Sequence, residues 1–187
     1  MKTQRTIIGV IGSGTEPHSL YSGHLGKWLG KQGYDLINGG GSGVMEEVAK
    51  AFAEVTERKG ITIGIIPSMN SCKDANRRKD YRPPEGYPNP YTNLPIYTHL
   101  HLSGPHGKEP NSRNHIIVLT ADLLIAFPGN AGTRSEIQLA IEYEKPLIIL
   151  NPAGGWNEFQ KTSSTMVKNV DEMINEILRW ENNRYKD

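Results

Sequence analysis

The chain has 187 residues, the length of one ordinary domain with a sizeable core. Its 21 Lys and Arg against 20 Asp and Glu give a net charge of +1, so it lacks the electrostatic footprint of a nucleic-acid binder. The single cysteine, Cys72, excludes an intramolecular disulfide, no stretch reaches membrane-spanning length, and residues 1–6 hold no signal-peptide core, so a cytoplasmic location is expected.

Residues 7–11, Ile-Ile-Gly-Val-Ile, are apolar on both faces and predict a buried first strand. Tyr21, Leu25, Trp28, Leu29 and Gln32 share one helical face, with Gly33 as its stop. Residues 34–37 predict a second strand. Asn38-Gly-Gly-Gly-Ser-Gly43 follows, then a helix with Val44, Val48, Ala51, Phe52 and Val55 on one stripe, ended by Gly60. Residues 61–66 predict the third strand. Residues 68–94, rich in Asn, Pro, Arg, Lys, Asp and Tyr, read as a long loop, either a functional lid or a surface excursion.

Residues 94–102 alternate, with Ile96, Thr98, Leu100 and Leu102 on one side and Tyr97, His99 and His101 on the other, and predict a strand. A short helix is expected from Asn111 or Ser112, containing Arg113. Residues 122–127 and 145–150 predict two more buried strands, with a helix bearing Ile137, Ala140 and Ile141 between them. A short helix is expected near Trp156 to Lys161. Val170, Met173, Ile174, Ile177 and Leu178 mark a last helix, its end from Glu181 to Asp187 expected to fray.

Strands alternating with helices imply βαβ units: an α/β fold of three layers, a mainly parallel sheet with helices on both faces. Right-handed crossovers put the strand–helix loops on one edge, where ligands bind in open sheets. The two Gly-rich loops, after Ile37 and after Phe127, are therefore expected at one cleft. No internal repeat or second domain is visible, so residues 1–187 are read as one domain.

Phe127-Pro-Gly-Asn-Ala-Gly-Thr-Arg-Ser-Glu136 joins a predicted strand to a predicted helix. Free amides and the positive end of the helix dipole converge there, which suits a phosphate. Gly129 and Gly132 allow close backbone approach, Thr133 is the expected N-cap, and Glu136 falls one turn further. The glycines 39, 40, 41 and 43 read as a second ligand-facing loop. Gly12-Ser13-Gly14 resembles part of a dinucleotide fingerprint, but Pro17 stands at the third glycine, so an ordinary turn is an equal reading. His99 and His101 form a His-x-His pair without a completing carboxylate or cysteine, so no metal is expected. Tyr81, Tyr87, Tyr91 and Tyr97 either stack on a base or pack their loop. Taken alone, Arg113 reads as a solvated arginine with a packed stem, Glu136 as a dipole-complementing acid and Arg134 as an exposed charge.

Gly39-Gly-Gly-Ser-Gly-Val-Met45, Ser112-Arg-Asn114 and Pro128-Gly-Asn-Ala-Gly-Thr-Arg-Ser-Glu136 together resemble the family once labelled lysine decarboxylases. That family is associated with LOG-type nucleoside 5′-monophosphate phosphoribohydrolases. The resemblance spans the chain from the first strand to Leu150 and is nearest to a small, uncharacterised branch. It implies a modified Rossmann fold and a homodimer or higher homo-oligomer. It implies a nucleoside monophosphate as partner; the charge balance and the short apolar runs predict no nucleic acid and no membrane, and no cofactor is expected. Arg113 and Glu136 correspond to the family's catalytic pair. Ser13, Gly39, Gly40, Gly41, Gly43, Met45, Asn114, Gly129, Asn130, Gly132 and Thr133 are the expected ligand-binding set. Asn130 replaces the signature's second glycine, Ser135 its first glutamate, and Asn114 the lysine after the arginine. The histidine that precedes the arginine in the cytokinin-type motif is also missing. These departures leave room for a non-catalytic carrier of a nucleotide or phosphorylated cofactor, as a molybdenum-cofactor carrier of similar fold is. Ser112-Arg-Asn-His-Ile-Ile117 also faintly resembles a DNA-uptake group, against which the near-zero charge argues.

Overall fold

The computed structural model describes residues 5–184; positions 1–4 and 185–187 lie outside them. Among the described residues seven strands form one sheet: β1 (Ile7–Ile11), β2 (Asp35–Asn38), β3 (Thr62–Ile66), β4 (Leu94–Tyr97), β5 (Leu123–Ala126), β6 (Leu147–Leu150) and β7 (Thr165–Val167). Their spatial order is β4-β3-β2-β1-β5-β6-β7, and every neighbouring pair is parallel.

Helices cover both faces. Ile8 and Val10 of β1 pack on one side with α1 (Ser19–Gln32), α2 (Val44–Ala53) and α5 (Val170–Arg184), through Leu25, Phe52 and Met173. Ile11, Leu124 and Ala126 pack on the other side with α3 (Asn114–Thr120) and α4 (Ala131–Glu142), through Ile117 and Ile137. A strand buried on both faces has no polar side, which is why the sequence reads as unbroken apolar runs. The result is the expected three-layer Rossmann-like arrangement.

The strand order locates the site. From β1 the chain steps outward through β2 and β3 to β4. It then crosses the sheet and lays β5 against the other side of β1, with Ile8 paired to Leu123. The order reverses between β1 and β5, and the parallel strands all end at the same edge. In open α/β sheets the crevice at such a switch point is where ligands bind.

Several elements differ from expectation. The second helix stops at Ala53, well before Gly60. Gly60 serves close approach instead: a Cβ there would overlap the carbonyl oxygen of Tyr34, with the Phe52 ring 3.2 Å away. Gly60→Ala should therefore cost about 2 kcal/mol, lowering Tm by roughly 6 °C. A thermal melt checks this.

β4 ends at Tyr97 instead of Leu102, and its Leu94, Ile96 and Tyr97 are exposed because it is the sheet's outer strand. Leu102 makes only an isolated bridge with Ser112. α3 starts at Asn114, leaving Arg113 in the cap position. The helix near Trp156 shrinks to a 3₁₀ turn at Asn157–Phe159. α5 stays helical to Arg184, and the remainder of its expected frayed end lies outside the described residues.

The segment 68–94 is folded back onto the molecule. It holds a 3₁₀ turn at Ala75–Asp80. Asn89 ties it to the loop after β2: its N–H donates to Gly40 O at 2.7 Å and its side-chain amide to Gly41 O at 2.9 Å. No helix among the described residues is long and apolar enough to cross a membrane.

Candidate functional site

A cavity of about 210 Å³ opens at the switch point. The turn after β1 supplies Gly12, Ser13 and Gly14. The buried Ser13 hydroxyl accepts from the N–H groups of Thr15 (3.2 Å) and Glu16 (2.9 Å), curling that turn. Its own N–H donates to Pro128 O at 3.2 Å, joining the turn after β1 to the loop after β5. Met45 of α2 adds an apolar patch to the wall.

The opposite wall is the start of α4, with Asn130, Gly132, Thr133 and Glu136. Thr133 is not the N-cap. Asn130 is, with extended backbone at φ −112° and ψ −157° and its carbonyl accepting from Arg134 N–H at 3.0 Å. The helix thus begins earlier than expected, and Thr133 is a buried residue of its first turn. The first-turn amides of α4 still converge on the cavity wall, the arrangement that favours an anion.

Arg113 stands at the cap of α3 and is 6% exposed. Its Nη1 donates to the carbonyl oxygens of Gly39 and Ile65. Its Cζ lies 5.6 Å from the centre of the Tyr87 ring. Its Nε is buried and has no hydrogen-bond partner. Burial pulls the guanidinium below its ordinary pKa, while Tyr87 and Glu136 act in the opposite direction. An arginine stays protonated even so, which leaves a buried cation beside the cavity. Asn114 follows it, with its N–H on the Ser112 hydroxyl at 3.2 Å, and also lines the cavity.

Glu136 lies one turn into α4. Burial raises its carboxyl from 4.5 to about 7, and nearby Arg113 only partly offsets this. The cavity therefore holds an acid that titrates near neutrality beside a permanent cation, the kind of perturbation that clusters at functional sites.

Ser13, Met45, Arg113, Asn114, Asn130, Gly132, Thr133 and Glu136 are thus brought together around one cavity. The glycines 39, 40, 41 and 43, expected to face a ligand, are not in its lining. They lie behind it. A Cβ at Gly39 would fall on the Arg113 guanidinium, one at Gly41 would come within 2.5 Å of the Tyr87 ring, and one at Gly40 would strike Ile66. Gly43, at φ +66°, leaves room for the carbonyl of Ser13. Gly129 likewise makes room for the Thr133 hydroxyl and for Ser13 N–H, and does not line the cavity. These glycines accommodate the protein's own groups that build the wall.

Sequence reading missed Ser103 and Gly104 in the lining, named Tyr87 only as one of four tyrosines that stack on a base or pack their loop, and undervalued Gly12 and Gly14. Ser135 has a definite partner: its hydroxyl donates to Gly104 O at 2.9 Å, holding the turn at 103–106 against α4. Arg134 points elsewhere, paired with Glu158 at 3.1 Å. His99 is exposed, and among the described residues no group of three or more His, Cys, Asp or Glu is placed to hold a metal ion.

The chain is 32% identical over 147 residues to an uncharacterized protein of Archaeoglobus fulgidus, covering 78% of this chain and 80% of that one. The molybdenum cofactor binding protein of Rippkaea orientalis superposes with a TM-score of 0.71 at 27% identity, over 95% of this chain and 98% of that one. The Moco carrier protein of Chlamydomonas reinhardtii gives 0.71 at 24% identity, over 96% and 99%. DNA processing protein A of Helicobacter pylori gives 0.59 at 20% identity, over 93% and 80%. The last two likenesses show the fold alone. The description that matches residues 5–182 is that of the SLOG cluster4 family, and the chain belongs to that family.

Proposed function

We propose that the chain, as a single nucleotide-binding domain, hydrolyses the N-glycosidic bond of a nucleoside 5′-monophosphate, giving free base and ribose 5-phosphate. The observation that carries this reading is one cavity lined by the buried cation of Arg113, the first turn of α4 and the carboxyl of Glu136. The phosphate would sit on the first-turn amides by Gly132 and Thr133, with Arg113 supplying positive charge beside it. Glu136 lies three residues beyond Thr133, about 4.5 Å further along the helix axis. A phosphate held at the helix end brings the attached ribose to that carboxyl, so binding of the remote group positions the reacting carbon. As the base leaves, positive charge builds on the sugar. The ionised carboxylate stabilises it and orients the attacking water. On this reading copies of the chain work as a homodimer or higher homo-oligomer.

With Glu136 titrating at about 7 and required as the carboxylate, kcat/KM should rise with pH through neutrality. Below that point it should fall roughly tenfold per pH unit. Release of adenine from AMP between pH 5.5 and 9 measures the profile, and a flat profile counts against the role of Glu136.

A non-catalytic carrier is the second reading. The 27% identity to a molybdenum cofactor binding protein favours it, as does Ser135, whose hydroxyl is committed to the turn at Gly104. Thermal-shift screening with nucleoside monophosphates and phosphorylated cofactors finds the ligand. An assay for free base on each hit separates the two: binding without release of any base from any nucleoside monophosphate supports the carrier.

A further inference from the structure

We infer that Tyr87 is the positioning residue for Arg113, and that the segment 68–94 belongs to the site because it delivers this ring. The guanidinium carbon of Arg113 lies 5.6 Å from the Tyr87 ring centre, and both residues line the cavity. On the guanidinium's other contacts, Nη1 is held by the carbonyls of Gly39 and Ile65. A planar cation held by carbonyls can still pivot about them, and an aromatic ring close beside it restricts that freedom. The ring itself is braced. Its hydroxyl end rests over Gly41, where a Cβ would come within 2.5 Å. Two residues on, Asn89 pins the segment to Gly40 O and Gly41 O. One loop, Gly39-Gly40-Gly41, therefore seats the arginine on its first glycine and the tyrosine on its third. The tyrosine thereby fixes the orientation of the guanidinium beside the cavity.

The test uses the full chain and the variants Tyr87→Ala, Tyr87→Phe and Gly41→Ala. Gly41→Ala displaces the ring without substituting any cavity-lining residue. Each is treated with phenylglyoxal, which modifies accessible guanidinium groups, and labelling at Arg113 is followed by mass spectrometry. Arg113 should react slowly in the unmodified chain, at least tenfold faster in Tyr87→Ala and Gly41→Ala, and slowly again in Tyr87→Phe, which keeps the ring. Equal protection in all four, or Phe behaving as Ala does, overturns the inference. If Tyr87→Ala does not fold, Gly41→Ala carries the comparison. AMP affinity should fall about tenfold in the two displaced variants and be restored by Phe. This affinity arm rests on the nucleotide reading above, whereas the labelling arm does not. An unmodified chain that binds no AMP overturns that reading and leaves the labelling pattern to decide the role of Tyr87.

Discussion

Glu136→Gln should lower release of free base from AMP by roughly a thousandfold, with nucleotide affinity almost unchanged. Glutamine keeps the size of the side chain and its place one turn into α4, but it carries no charge to oppose the developing cation. Because the phosphate is held by other groups, the loss should appear in kcat and not in KM. The same substitution has a stability signature. The Glu136 carboxyl moves from 4.5 to about 7 on folding. Below the lower value both states are protonated and the group contributes nothing. Between the two, the unfolded chain ionises while the folded chain holds its proton, so stability falls as pH rises. Above 7 the penalty is complete, at most about 3 kcal/mol. Glu136→Gln should therefore raise Tm at pH 8 and leave it nearly unchanged at pH 4. An inactive variant that also loses Tm at pH 8 would indicate structural damage in place of the removed charge.

Arg113→Met should abolish nucleotide binding and cost about 3 kcal/mol of stability, close to 10 °C in Tm. The methionine fills much of the arginine's volume, but the carbonyls of Gly39 and Ile65 lose their donor. Arg113→Lys should recover part of the stability without the binding, because an ammonium cannot hold two carbonyls and present a second planar donor at once. Calorimetric titration with AMP and thermal melts on both variants check this. Full nucleotide affinity in Arg113→Lys would mean that a point charge suffices and the planar donor is irrelevant.

The strands that are buried on both faces were legible, since burial makes β1, β5 and β6 apolar throughout and leaves polar residues only at the ends of β2 and β3. β7 was not, because Thr165-Met166-Val167 is a short outer strand with only Val167 buried. The loop after β5 was legible as a wall of the crevice, since a strand-to-helix turn in a parallel sheet falls at the edge where the strands end. The loop after β2 was misread for a reason sequence cannot cure. A glycine leaves the same space for a ligand as for a side chain, and the chain arriving at Gly39 is Arg113, 74 positions away. Tyr87 stood in the sequence as one of four tyrosines with no feature to separate it from the others, and its place is set apart only by its contacts with Gly41 and Arg113. Gly12-Ser13-Gly14 carried too little pattern to stand out, yet it occupies one lip of the crevice because β1 borders the switch point.

The reversal of strand order between β1 and β5 has one more effect. Ser13 and Met45 come from the half of the sheet that grows toward β4, while Thr133 and Glu136 come from the half that grows toward β7. A molecule seated across that seam touches both halves and is gripped only when they are docked. Its binding energy then resists parting of the halves as well as local opening, so the rate of proteolysis should fall in proportion to free ligand above its Kd.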